Sequence, residues 1–281
     1  MDLQIEILQA IQSVQNPALD LVARCITFLG EQYFAVPIAA FCFWCVDKEL
    51  GYWLCWCTGL TGLLSNGIKG IFKIPRPIGT PGIRSIATEN ATGYSFPSAH
   101  SANSAALFVG TARALNRRRF WILAAVVPPL VALSRLYLGC HWPTDVVAGC
   151  LIGGALPFLL WLFYRKWAAK KTLLFFLSTA LFLPFCFVLK EDSLDFWKLF
   201  GFQTGVIIGT FLETKYVRFS VPEGKKQKAL RFFGGMVLIL LCYLPMKLLF
   251  PETIPFTVLR YAAVPVTAIA FWPYLFRKFG F

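Results

Sequence analysis

Two histidines occur in 281 residues, and each stands among residues that could do chemistry with it. His100 follows Pro97, Ser98 and Ala99; His141 follows Ser134 and Arg135 and precedes Asp145 by four positions. Upstream lies Lys69-Gly-Ile-Phe-Lys-Ile-Pro-Arg76-Pro77. A carboxylate four residues after a histidine, at a helix start, can reach one imidazole nitrogen, fix the tautomer and make the other nitrogen a better nucleophile. Pro143 suits the first turn of that helix. Lys69, Arg76 and Arg135 could together neutralise a phosphate, and either guanidinium could grip two oxygens at once. Ser98, directly after Pro97, is a natural N-cap. The helix start behind it offers backbone N–H groups, those of Ala99 and His100, to the same anion.

Plainer readings compete. Basic residues near a membrane surface often snorkel or set topology, and that covers Lys73 and Arg84. It covers Lys69, Arg76 and Arg135 poorly, because each falls at the end of an apolar segment on the same face as both histidines. A lone interfacial histidine is usually a satisfied polar residue, whereas two histidines, a carboxylate and three cations on one face favour a site. Two His and one Asp could supply three zinc ligands, but three adjacent cations would repel a divalent metal. No metal or other cofactor is expected.

The elements that must position these residues are membrane helices. Hydrophobic residues make up 57% of the chain and charged ones 15%, against about half and a quarter in soluble domains. Continuous apolar runs of spanning length indicate a polytopic α-helical bundle and not a β-barrel. Nine spans are expected, at Phe28–Val46, Leu50–Ile68, Ser98–Ala114, Phe120–Leu138, Pro143–Tyr164, Thr172–Leu189, Phe196–Leu212, Phe232–Phe250 and Thr257–Phe276. Pro128, Pro129, Pro157, Pro184, Pro245 and Pro265 predict kinks. Gly201, Gly205 and Gly209 form a small-residue ridge for close packing within the bundle. Before the first span, Leu3, Ile7, Leu8, Ile11 and Val14 recur at helical spacing. That segment either lies on the membrane surface or packs on the bundle.

The net charge of +13 is largely a topology signal. Most of the Lys and Arg residues lie on one set of connections, including Arg113–Arg119, Arg165–Lys171 and Lys215–Arg231. That side is expected to be cytoplasmic, with the C-terminus inside and the histidine clusters on the opposite face. Nucleic-acid binding is not expected. Most of the nine cysteines sit inside apolar runs, so no disulfide framework is read, and the N-terminus has no basic region of a cleaved secretory signal. Three parts follow: an amphipathic segment at 1–27, a core at 28–166 and a transmembrane extension of four helices at 167–281.

The pattern Lys69-x6-Arg76-Pro77, Pro97-Ser98-x-His100 and Ser134-Arg135-x5-His141-x3-Asp145 resembles the tripartite signature of the type 2 phosphatidic acid phosphatase superfamily. The resemblance implies a membrane lipid phosphatase that needs no metal. By it, His141 is the nucleophile that forms a phosphohistidine, and Asp145 orients it. His100 is the acid that protonates the leaving oxygen and then activates water. Lys69, Arg76, Ser98, Ala99 and Arg135 hold the phosphoryl oxygens, Ala99 standing where the family usually has glycine. The long architecture is similar to sphingosine-phosphate phosphatases. The expected substrate is a phosphomonoester or terminal pyrophosphate of a lipid, with phosphatidate or phosphatidylglycerol phosphate, a sphingoid-base phosphate and undecaprenyl pyrophosphate as candidates. A phosphotransferase using the same site, and a lipid transporter or scramblase with a vestigial one, are the alternatives. Substrate, membrane lipids and possible further copies of the chain are the partners considered; the sequence does not fix an oligomeric state.

Overall fold

Helix boundaries fall where the sequence supplies caps and breaks. The computed structural model describes residues 2–88, 91, 93–190 and 193–280, and these are helical and irregular, with no β-strand among them. In chain order the helices are α1 (Asp2–Gln12), α2 (Pro17–Phe28), α3 (Gln32–Phe41), α4 (Lys48–Phe72), α5 (Ala99–Leu115), α6 (Arg118–Tyr137), α7 (Pro143–Trp167), α8 (Lys171–Ala180), α9 (Leu183–Val188), α10 (Leu194–Leu212), α11 (Lys225–Leu249), α12 (Ile254–Val266) and α13 (Trp272–Phe279). Asn16 caps α2 ahead of Pro17, its side chain accepting from the Leu19 N–H at 2.9 Å. Asn116 ends α5 in the left-handed conformation that Asn tolerates, with φ 45°.

The chain divides into two compact units, Met1–Ala35 with Leu64–Trp161, and Val36–Leu63 with Leu162–Phe281. In the first, α1 takes the second of its two expected placements. Leu8 is fully buried with Leu136, Trp142 and Val146, while Leu3 and Val14 stay exposed. The α1 residue Gln12 donates to the carbonyls of Arg84 (2.7 Å) and Tyr137 (3.0 Å) and accepts from the Arg84 N–H (3.0 Å). It thereby clamps the Lys73–Ser98 connection to the end of α6. Arg84, read from sequence as a topology residue, pairs with Asp20, which also accepts from the Tyr137 hydroxyl.

Two close approaches fix the helices that bear the site. A Cβ at Gly149 would lie 2.5 Å from the Ser98 carbonyl oxygen, and one at Gly153 would run into the Ala102 carbonyl. α5 and α7 therefore meet backbone to backbone. After α6 the chain reverses through Gly139 (φ 64°), where a side chain would collide with the Arg84 carbonyl.

In the second unit the glycine ridge packs inside the bundle as read. Gly201 and Gly205 lie on the α12 backbone at Val258 and Ala262, and Gly209 against Pro265 and Ile269. Glu213, fully buried, pairs with Lys48 at 3.0 Å and accepts from the Tyr52 hydroxyl. Pro184 opens α9 after a break in the helix, and Pro265 lies just before a π turn at Thr267–Phe271.

Helix occupies most of each of the nine segments expected to span, with breaks at Leu29–Glu31 in the first and at Leu181–Phe182 in the sixth. By length and apolarity, four helical runs among the described residues are able to cross a membrane: Arg118–Tyr137, Pro143–Val188, Lys225–Leu249 and Ile254–Phe279. The pair Pro17–Phe28 and Gln32–Val46, bent by 46°, makes a fifth if taken as one span. α4, α5 and α10 are less apolar because they bury polar side chains, among them Thr61, Ser65, Ser101, Ser104, Gln203 and Thr210. A helix facing protein does not have to match lipid.

Candidate active site

The end of α4, the start of α5, the end of α6 and the start of α7 lie in the first unit and bear Lys69, Ser98 to His100, Arg135 and Asp145. Arg76 and His141 lie in the connections between them. Lys69 is buried and donates to the carbonyls of Tyr94 (2.9 Å) and Ser95 (3.1 Å), so it pins the chain just before Pro97. Arg76 donates from Nε to Gly93 and from Nη1 to Cys140, both at 3.0 Å, and Nη1 lies 2.9 Å from His141 Nε2. Ser98 caps α5, its Oγ accepting from the N–H and hydroxyl of Ser101, while its own N–H donates to the Asp145 carbonyl at 2.9 Å.

His141 is 1% exposed. Its Nδ1 lies 3.3 Å from Asp145 Oδ2, and its Nε2 faces the Arg76 guanidinium. A guanidinium only donates, so Nε2 is the accepting nitrogen and the ring proton sits on Nδ1, toward the carboxylate. That tautomer leaves a lone pair on Nε2. Burial first, then the positive charges of Lys69, Arg76 and Arg135, hold the His141 pKa well below the ordinary histidine value, so the ring is neutral near pH 7. Asp145, fully buried, is held in turn: Oδ2 accepts from the Trp142 N–H at 2.7 Å and from the Ser95 hydroxyl.

Arg135 is 1% exposed and donates from Nη1 to Thr27 Oγ1 at 3.2 Å. Its Nε and Nη2 are buried with no hydrogen-bond partner among the described residues. A buried donor without an acceptor costs about 1–3 kcal/mol, and two on one guanidinium match the fork that takes two oxygens of a phosphate. Ala99 is the first residue of α5 and has ordinary helical backbone. Nothing at that position needs the left-handed freedom a glycine would bring.

Three participants escaped the sequence reading. Ser95 Oγ bridges Asp145 Oδ2 and His141 Nδ1. Thr27 braces Arg135 from α2. Glu31, at the break between α2 and α3, places Oε1 3.0 Å from His100 Nε2. Ser95 stands three residues before Ser98 and was within reach of a local reading, but Thr27 and Glu31 lie far upstream with no spacing to mark them.

The residues of the three motifs thus come together at one end of the first unit, as a buried histidine–carboxylate pair with Lys69, Arg76 and Arg135 around it. The chain belongs to the PAP2 superfamily: the family's model matches residues 50–169, and that of the PAP2 superfamily phosphatase, transmembrane extension, matches residues 197–281. Among its relatives is the probable sphingosine-1-phosphate phosphatase of Dictyostelium discoideum, 30% identical over 53% of this chain but only 39% of that protein. Phosphatidylglycerophosphatase B of Bacillus subtilis is 31% identical over 52% of this chain and 76% of that one. A solved structure, the transmembrane PAP2 type phosphatidylglycerolphosphate phosphatase from Bacillus subtilis, is similar with a TM-score of 0.52 and 28% identity. It covers 59% of this chain and 86% of that chain. The protein is thus an integral membrane member of the PAP2 superfamily, and these relatives are lipid phosphatases by name.

Proposed function

We propose that this protein is a lipid phosphate phosphatase that hydrolyses a phosphomonoester or terminal pyrophosphate through a phosphohistidine on His141. The observation that carries the reading is His141 held between Asp145 and Arg76, beside two donors of Arg135 that have no partner among the described residues. Arg76, Arg135, Lys69 and the α5 N-terminus, with Ser98 and the N–H groups of Ala99 and His100, hold the three non-bridging oxygens. His141 Nε2 attacks phosphorus, and the bond to the lipid oxygen breaks as His100 gives that oxygen a proton. Asp145 accepts from Nδ1–H throughout and stabilises the positive charge that develops on the ring. A water then gives its proton to His100 and attacks phosphorus, the P–N bond breaks, and inorganic phosphate leaves with His141 restored. Cations supply the charge that a metal would otherwise bring, so no metal is required.

The lipid-anchored character of the substrate is supported by the setting of the site among apolar helices and by the names of the relatives. Within the bundle, residues 28–166 form the catalytic core and residues 167–281 the extension, with nine crossings. The site faces the non-cytoplasmic side and the C-terminus is cytoplasmic. Arg113 and Arg117 to Arg119, at the ends of α5 and α6 away from the histidines, support that orientation.

The test is release of inorganic phosphate from phosphatidate, phosphatidylglycerol phosphate, a sphingoid-base phosphate and undecaprenyl pyrophosphate, each with and without EDTA. Release from at least one, unaffected by chelator, is expected. Transfer of the phosphoryl group to a second lipid, no release from any lipid, or inhibition that added zinc or magnesium reverses would each overturn the corresponding part of the reading.

A further inference from the structure

α2 and α3 are separated by Leu29, Gly30 and Glu31, and the chain bends there by 46°. The bend is pressed onto the start of α5. A Cβ at Gly30 would come 2.7 Å from the His100 carbonyl oxygen and 3.0 Å from its Cβ, so only glycine lets the break approach this closely. The next residue is Glu31, whose Oε1 meets His100 Nε2 at 3.0 Å with both side chains mostly withdrawn from solvent. The glycine brings the backbone in, and the glutamate extends from it to the ring.

We propose that Glu31 is the positioning residue for His100, holding a proton on Nε2 and so presenting the other ring nitrogen, Nδ1, to the lipid oxygen that leaves. The inference rests on the phosphatase reading above and adds to it a residue outside the three motifs. The other groups facing His100 are the Arg135 guanidinium from α6, Arg76 from the connection after α4, and His141 before α7. These are cationic or able to become so, and they oppose the imidazolium that must exist before a proton can be donated. Asp145 is committed to His141, Ser95 and Trp142. The Glu31 carboxylate offsets the cations and also fixes the ring plane. In the first step His100 Nδ1 gives its proton to the lipid oxygen as the P–O bond breaks. In the second Nδ1 takes a proton from water, while Nε2–H stays with Glu31 in both.

The experiment compares Glu31→Gln and Glu31→Asp with the wild type on two substrates, the best lipid phosphate of the panel and p-nitrophenyl phosphate. The readout is the ratio of kcat/KM values, which reports the steps through departure of the leaving group. An alkoxide needs the proton and a nitrophenolate does not. Glu31→Gln should lower kcat/KM on the lipid by about 10- to 100-fold, within the range of general-acid contributions, and on the aryl ester by about threefold or less. Its alkaline pH limb on the lipid should move toward lower pH, because the imidazolium has lost its counter-charge. Glu31→Asp, which keeps the charge on a shorter arm, should recover part of the loss. The ratio does not depend on how much of a variant is folded, and if Glu31→Gln yields no folded protein, Glu31→Asp supplies the same ratio. Equal losses on the two substrates, or no loss, with an active wild type, would overturn the role of Glu31 alone. A wild type that releases phosphate from neither substrate would overturn the phosphatase reading and the inference with it.

Discussion

Arg76 Nη1 lies 2.9 Å from His141 Nε2, so the arginine occupies the very lone pair that would attack phosphorus. The same nitrogen donates to the Cys140 carbonyl. On the proposed mechanism an arriving phosphate would offer Arg76 a charged acceptor in exchange for a neutral one, and so free Nε2 to attack. Arg76→Ala should therefore lower kcat/KM on a lipid phosphate by on the order of 100-fold. Arg76→Lys should recover little, since an ammonium cannot reproduce the planar fork. A lysine variant as active as wild type would show that charge alone suffices.

His141→Ala should abolish turnover while the protein still folds. Asp145 Oδ2 keeps the Ser95 hydroxyl and the Trp142 N–H when the imidazole is gone, so no carboxylate is orphaned in the interior. Removing a nucleophile costs about 10³-fold or more. Acid-quenched wild type incubated with labelled substrate should bear phosphate on His141. A variant retaining a tenth of wild-type turnover would refute the assignment.

The depressed pKa of His141 makes a stability prediction with a definite sign. In the folded protein the ring is kept neutral by burial and by Lys69, Arg76 and Arg135, whereas an unfolded histidine titrates near ~6.5. Below that pH the unfolded chain binds a proton that the folded chain refuses. Above ~6.5 the residue contributes no pH dependence; below it stability falls with pH, by at most about 1.4 kcal/mol per unit, until the folded-state pKa is reached. Melting temperatures in detergent from pH 7.5 down to 5 should drop faster for wild type than for His141→Gln. Parallel curves would contradict this.

Two adjacent glycines of α7 should answer the same substitution in opposite ways. A Cβ at Gly153 would run into the Ala102 carbonyl, while one at Gly154 would meet nothing within 4 Å. Gly153→Ala should destabilise by about 1–3 kcal/mol. Gly154→Ala should be neutral or stabilising by up to ~1 kcal/mol, from helix propensity. Thermal unfolding of both variants in one detergent decides it, and equal effects would mean α5 and α7 are not in close contact.

What could be read from the sequence was what lies close along the chain. His141 and Asp145 are one helical turn apart, and Ser98 is marked by the proline before it, so their types and spacing announced them. Lys69, Arg76 and Arg135 were legible because each stands where an apolar segment ends. Glu31 is different: it meets His100 across 69 positions, and in its own stretch of sequence it is an ordinary glutamate beside a glycine. Only the bend that Gly30 permits makes it part of the site. The helical segments were legible from apolar runs, whereas length and apolarity mark only four or five of the described runs as able to cross a membrane, against the nine proposed. Apolarity measures exposure to lipid, and helices such as α4 and α5 bury polar residues that lower it, among them Thr61, Ser65, Ser101 and Ser104.

The contact of α5 with α7 through Gly149 and Gly153 has a consequence for selectivity. Helices that touch backbone to backbone cannot slide by a fraction of a turn, and a full turn is about 5.4 Å. Ser98 and Asp145, joined at 2.9 Å across that contact, are therefore the two ends of a gauge of fixed length. On the proposed mechanism a tetrahedral phosphate would meet this gauge whatever lipid bore it. Changing the lipid should then alter turnover less than changing the group removed.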